Sequence, residues 1–176
     1  MFAKIYHHFF APRVHMVMAK VRALGTGHFA FRVFSANMDP TLRVGEVALV
    51  KPYKAILEEL ERGSVIAYRS VKHKGVILPS RLIALGTDTV EIVDGDLFVN
   101  ESRVPQPYLL PGRSEQEHSR TVGRFLVPPG TAFVLGDFRD VSDDSRTVGP
   151  LPLSCLLGTV SYAHPRENCS AKRQVK

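Results

Sequence analysis

The sequence predicts a mostly β, barrel-like domain preceded by a short amphipathic helix. Three observations carry that expectation. From residue 30 onward the chain breaks into short runs rich in Val, Ile, Leu and Phe, separated by turns of Gly, Pro and Asp. Many short strands with frequent turns argue a mostly β, barrel-like domain. One turn, Asp94-Gly95, lies between the alternating runs 89–93 and 96–100, the strongest short-range signal for a hairpin. Helical spacing, by contrast, is concentrated near the N-terminus, where Val14, Val17, Met18, Val21 and Leu24 line one face.

Taken in order, Pro12 precedes a helix over 13–24, and Gly25-Thr26-Gly27 ends it. Residues 30–34 and 46–51 are apolar strands. The stretch 53–62 has a short helical look through Ile56, Leu57 and Leu60. Strands follow at 63–69, at 76–78 leading toward Ser80, and at 81–85. The Asp94-Gly95 hairpin comes next. Residues 105–120 are polar, with prolines and Gly112, and read as a loop or an insertion. Residues 125–127, a Pro128-Pro129-Gly130 turn and residues 132–135 lead to a strongly patterned segment at 136–146. A last strand covers 158–163. No internal repeat is present.

The 176 residues suffice for one domain with a real core, and 44% hydrophobic content is ordinary for a globular chain. The net charge of +6 gathers at the ends. Residues 1–34 hold five Lys/Arg and no acid, and 166–176 hold four Lys/Arg against Glu167. This divides the chain into a basic amphipathic segment (1–30), a β domain (31–165) and a basic tail (166–176) that reads as solvated. The basic helix either lies on a membrane surface with its cations toward headgroups or packs on its own domain. No run of about 20 apolar residues is present, because Lys4, His7, His8, Arg13, His15, Lys20 and Arg22 interrupt 1–24. A signal-peptide core is also absent. Two cysteines make no disulfide framework. Cys155, between leucines, reads as a small core residue, and Cys169 lies in the tail. No Cys/His cluster has zinc spacing, so neither metal nor cofactor is expected.

The chemistry rests on two segments, Ser35-Ala36-Asn37-Met38-Asp39-Pro40-Thr41-Leu42 and Gly136-Asp137-Phe138-Arg139-Asp140-Val141-Ser142-Asp143-Asp144-Ser145-Arg146. Between them lie Gly45-Glu46-Val47-Ala48-Leu49-Val50, Arg62-Gly63-Ser64-Val65-Ile66 and Arg81-Leu82-Ile83-Ala84-Leu85-Gly86-Thr87-Asp88-Thr89-Val90. In this order, over about 31–162, the blocks resemble type I signal peptidases, the Ser/Lys-dyad serine endopeptidases of the inner membrane. The resemblance implies a signal-peptidase-like β-barrel domain and assigns positions within it. Asn37 stands where the family has its nucleophilic serine, and Ser80 stands where it has the lysine base. Ser35 matches the oxyanion-hole serine and Ser142 the serine that orients the lysine. Arg81 with Asp137, and Asp144 with Arg146, match structural ion pairs. Phe31 and Val33 match residues lining the peptide pockets, and Met38 belongs to the same binding set.

Both reacting positions are substituted. A serine attacks a carbonyl only when a base takes its proton. In the family that base is a lysine kept neutral by burial, and hydroxyl and backbone N–H donors stabilise the oxyanion. The Asn37 amide has no nucleophilic oxygen, and Ser80 has no basic nitrogen. Because nucleophile and base act as a unit, losing either removes most of the rate. The expectation is a catalytically inactive or strongly impaired homologue that binds an extended peptide or preprotein segment as an added strand. Pro79 lies in the strand expected to pair with that peptide and has no N–H, and the bulky Phe34 replaces the family's usual proline.

Other readings stay open at this stage. One is an active signal or conjugation-linked maturation peptidase with a relocated nucleophile. Ser35 would share a strand face with Asn37, but its base among Lys51, Lys54, Lys72 and Lys74 is not placed. Another is a non-catalytic assembly factor for secreted or pilin-like subunits. A relative of the self-cleaving repressor proteases would need a DNA-binding domain. Residues 1–30 are too short and irregular for a helix-turn-helix, and no nucleic acid is expected. By analogy the location is the outer face of the bacterial inner membrane, peripheral or attached, with the mitochondrial inner membrane as the alternative.

Overall fold

The computed structural model describes residues 27–53, 60–164 and 173–174. The helix expected at 13–24, most of the helical stretch at 53–62 and nearly all of the tail, with Cys169, lie outside them. The described residues form twelve strands, most of them on the apolar runs: β1 (Phe29–Arg32), β2 (Val47–Pro52), β3 (Val65–Arg69), β4 (Ile77–Leu85), β5 (Thr89–Val93), β6 (Asp96–Val99), β7 (Ser102–Val104), β8 (Val122–Leu126), β9 (Thr131–Leu135), β10 (Leu151–Pro152), β11 (Leu156–His164) and β12 (Arg173–Gln174). They build a curled main sheet in the order β1-β2-β11-β3-β4-β9-β10, with β12 on β11, and a smaller sheet in the order β7-β6-β5-β8. The fold is mostly β, as the sequence predicts.

The hairpin has a local cause. Asp94 and Gly95 take φ of 51° and 90°, the type I′ geometry whose twist matches that of the flanking strands. The register then pairs Val90 with Val99 and Ile92 with Leu97, four buried side chains on one face. Several elements depart from expectation. The helices Glu117–Arg120 and Ser145–Val148 are too short to show a period. β1 begins at Phe29, within the segment assigned to the N-terminus, and β12, within the segment assigned to the tail, pairs with Tyr162 and Ala163. A two-residue polar strand carries no hydrophobic alternation to reveal it. Cys155 is half-buried in a 3₁₀ turn rather than in the core.

β4 matters most for the site. Opposite β3 it pairs Ile66 with Ser80, Ala67 with Pro79 and Val65 with Arg81. The Leu82 N–H donates to the Ser64 carbonyl and the Ser70 N–H to the Val76 carbonyl, so the backbones of even-numbered residues face β3. Ile77, Pro79 and Arg81 therefore face the other way, and Arg81 pairs with Leu135 of β9. Proline is tolerated at 79 because no bond to β3 is needed there. The side chains alternate too. Val65, Ala67 and Ile77 join the cluster of Phe31, Met38 and Val50, whereas Ile66, Tyr68 and Leu82 join Val134 and Leu156.

The turn from β4 to β5 is held by a buried carboxylate. Asp88 accepts from the Leu85 N–H, from Arg62 Nε and Nη2, and from Asn100 Nδ2 at 2.7–2.9 Å. Burial disfavours its charge, but these hydrogen bonds outweigh that and hold its carboxyl below the usual range. A depressed folded pKa adds stability that is full above the unfolded carboxylate's range and is lost as pH falls through the folded value. Asp88→Asn is thus expected to cost about 1–3 kcal/mol at pH 7 and to lessen the loss of stability below about pH 4. Urea midpoints at pH 7 and pH 3 check this, and an unchanged acid limb in the variant contradicts it. Among the described residues, no helix is long and apolar enough to cross a membrane.

Candidate active site

The segment after β1 folds into a tight turn because both its ends are pinned. Val33 and Gly45 join it to the strand through Val33 N–H to Glu46 O and Gly45 N–H to Val33 O, both 2.8 Å. Within it the Leu42 N–H donates to the Met38 carbonyl, and both side chains are fully buried. Asn37 stands on this turn, half-buried. Its carbonyl accepts from the Phe138 N–H at 2.9 Å and from Ser142 Oγ at 3.1 Å. Its Nδ2 donates to the Pro79 carbonyl at 2.7 Å, and its Oδ1 accepts from Ser35 Oγ at 2.5 Å. The amide orientation follows from chemistry, since a carbonyl only accepts and must meet the NH₂ side.

Gly136 makes this approach feasible. A Cβ there would overlap the Ser142 side chain and lie 2.6 Å from the Asn37 carbonyl oxygen. Next to it, Arg81 and Asp137 form a two-pronged ion pair, Nε to Oδ1 at 2.8 Å and Nη2 to Oδ2 at 2.6 Å, with side chains 2% and 0% exposed. Thr41 donates to the same carboxylate, Arg81 Nη1 donates to the Gly63 carbonyl, and the guanidinium carbon sits 3.8 Å from the centre of the Tyr108 ring. Asp144 holds Arg146 through Nε at 2.8 Å and Nη2 at 2.9 Å, and accepts from the Gly136 N–H. Arg139 is fully buried and donates to the Gly136 carbonyl and Gln106 Oε1, both at 2.8 Å. Burial pulls its pKa down, with Tyr108 opposing.

Ser80 behaves differently. It is 1% exposed, lies on the β4 face that carries Leu82, and among the described residues its Oγ has no hydrogen bond of ordinary geometry. The Tyr68 hydroxyl is its polar neighbour. Burial pushes that phenol up to about 12, although Ser80 pulls the other way, so Tyr68 keeps its proton near neutral pH and is no base. Ser142 Oγ has one proton, and it faces the Phe138 carbonyl at 2.6 Å as well as that of Asn37. Ser142 Oγ donates to these carbonyls and not to Ser80. The Lys72 ammonium, one candidate base, pairs with Asp143 at 2.7 Å on the exposed rim.

The structure thus brings Ser35, Asn37 and Ser142 together and sets the Asn37 amide on the residue next to Ser80. Phe31, Val33 and Met38, expected to contact peptide, are 0–1% exposed and pack in one core cluster with Ala48, Val50 and Val160. Sequence reasoning missed Tyr68, Gln106 and Tyr108. Tyr68 sits in the unbroken apolar run of β3, buried from Val65 to Tyr68, which carries no alternation to assign its face, so only the β3–β4 register places it beside Ser80. The two others come from a polar loop with no period.

Residues 9–164 match the family described as signal peptidase, peptidase S26. Signal peptidase I of Bacillus licheniformis is 35% identical over 156 residues, covering 84% of this chain and 83% of the relative. Signal peptidase I V of Bacillus subtilis (strain 168) is 29% identical over 164 residues, covering 88% and 96%. A crystal structure of a signal peptidase I from Enterococcus faecalis V583 superposes with a TM-score of 0.50 at 31% identity, over 58% of this chain and 97% of that one.

Proposed function

The chain belongs to the signal peptidase family, peptidase S26, and on that premise we propose that it is a non-cleaving member that holds extended peptide or preprotein segments without hydrolysing them. The observation that supports this reading is the state of Asn37. At the position the family gives to the nucleophile stands an amide whose two ends are occupied by Ser35 and the Pro79 carbonyl. At the position of the base stands a buried serine with nothing basic to offer. A relocated nucleophile finds no support in Ser35, because its single proton is donated to an amide oxygen rather than to a base. The relatives named above are bacterial, which favours the outer face of the bacterial inner membrane over a mitochondrial setting.

Purified protein is expected to leave an Ala-x-Ala signal-type peptide uncut above the no-enzyme background. The assay is product release followed by mass spectrometry, on the wild type and on Ser35→Ala. Cleavage that disappears in Ser35→Ala would refute the reading and install Ser35 as the nucleophile. Binding of secreted or pilin-like subunits without cleavage would place the protein among assembly factors.

A further inference from the structure

We propose that Asn37 is a latch on the peptide groove, occupying the backbone acceptor that an added strand would use. The proposal rests on the peptide-holding reading above and concerns how that groove is closed. An extended peptide joins a sheet by hydrogen bonding to an unoccupied strand edge. On β4 the backbones of even-numbered residues face β3, and Arg81 faces Leu135 of β9. Beyond Leu135 the chain turns away at Gly136, whose N–H goes to Asp144 Oδ2. The backbones of Ile77 and Pro79 therefore face a side that neither β3 nor β9 takes.

At Pro79 this edge has little to offer. Proline supplies no N–H, so its carbonyl is the one available group, and Asn37 Nδ2 already holds it at 2.7 Å. The latch is itself fastened, by Ser35 Oγ on the amide oxygen and by Phe138 N–H and Ser142 Oγ on the backbone carbonyl. Ser35 and Asn37 are only half-buried, so water can receive the amide when it swings out. A peptide strand then exchanges one hydrogen bond for another at 79 and gains its remaining bonds elsewhere along the edge. Asn37 thereby sets the affinity of the groove, and Pro79 sets how many main-chain bonds a bound segment makes.

The test is fluorescence anisotropy of a labelled Ala-x-Ala peptide titrated with the full chain. The variants are wild type, Asn37→Ala, Ser35→Ala, Pro79→Ala and Asn37→Ala with Pro79→Ala. Asn37→Ala keeps both backbone bonds of the turn, and its urea midpoint reports whether it folds. It is expected to bind about tenfold tighter than wild type, the effect of about one hydrogen bond no longer in competition. Ser35→Ala, which only loosens the latch, should give a smaller gain of about twofold to threefold. Pro79→Ala alone should also bind tighter than wild type, because a bound segment gains the N–H that proline lacks, and the double variant, with its carbonyl free as well, should exceed either single. If the folded variants all bind as tightly as wild type, the latch is overturned while peptide holding stands. If none binds, the peptide-holding reading falls and the latch with it.

Discussion

Asn37→Ser combined with Ser80→Lys is expected to give the chain a peptidase activity that neither single change confers. Nucleophile and base act as one unit, so a serine without a base, or a lysine without a serine, stays silent. A lysine at 80 would start on the face shared by Ile66, Tyr68 and Leu82, where burial lowers an ammonium pKa. Asp144 and Asp143, which disfavour ionisation of Tyr68, would favour the charged lysine and oppose that shift. The base works only when deprotonated, so activity should climb with pH through the lysine's folded pKa. Tyr68→Phe in the double-variant background should raise it further, because the phenol fills part of the space the lysine needs. Recovery should fall well short of an ordinary relative, since a misplacement of about 1 Å can cost about 100-fold. Cleavage of a detergent-presented preprotein between pH 6 and pH 10 is the measurement. A folded double variant that binds the peptide yet cuts at no pH would remove the idea that the site is otherwise intact.

The second large effect is on stability. Asp137→Ala leaves the Arg81 guanidinium, 2% exposed, without its carboxylate, and breaking a buried pair from one side costs about 3–5 kcal/mol. That is a large share of the roughly 5–15 kcal/mol that holds a domain. Thr41 loses its acceptor in the same step. Removing both charges, as Arg81→Met with Asp137→Leu, should recover much of the loss, because no charge then stays buried alone. Urea denaturation of the singles and the double decides the matter. A loss below about 1 kcal/mol in Asp137→Ala would show that Arg81 finds water or another partner.

How far the fold and site could be read from sequence depends on the range over which each feature is encoded. The β5–β6 hairpin was legible because Asp94 and Gly95 carry their turn chemistry locally. The Arg81–Asp137 pair spans 56 positions and was legible only through the family resemblance, since no spacing rule joins residues that far apart. The Asn37–Pro79 bond was not legible at all. Its acceptor is a main-chain carbonyl 42 positions away, and every residue has such a carbonyl, so its side chain signals nothing. The contacts of Gln106 and Tyr108 with the buried arginines were hidden for a related reason, because a loop without periodicity does not reveal which face it covers. Burial of Phe31, Val33 and Met38 was legible as apolar character, whereas their assignment to peptide pockets came from the resemblance alone, because a groove lining and a core share one composition.

The space around Gly136 bears on how such a chain can diverge. At 37 and 80 an amide and a hydroxyl are accommodated with the strands in place, so substitution there is compatible with the fold. At 136 it is not, because even a methyl group would force apart the Ser142 side chain and the Asn37 carbonyl. Relatives whose two motif segments meet as they do here are therefore expected to keep glycine at 136 even where positions 37 and 80 vary. A homologue found without that glycine would be one whose two motif segments no longer meet.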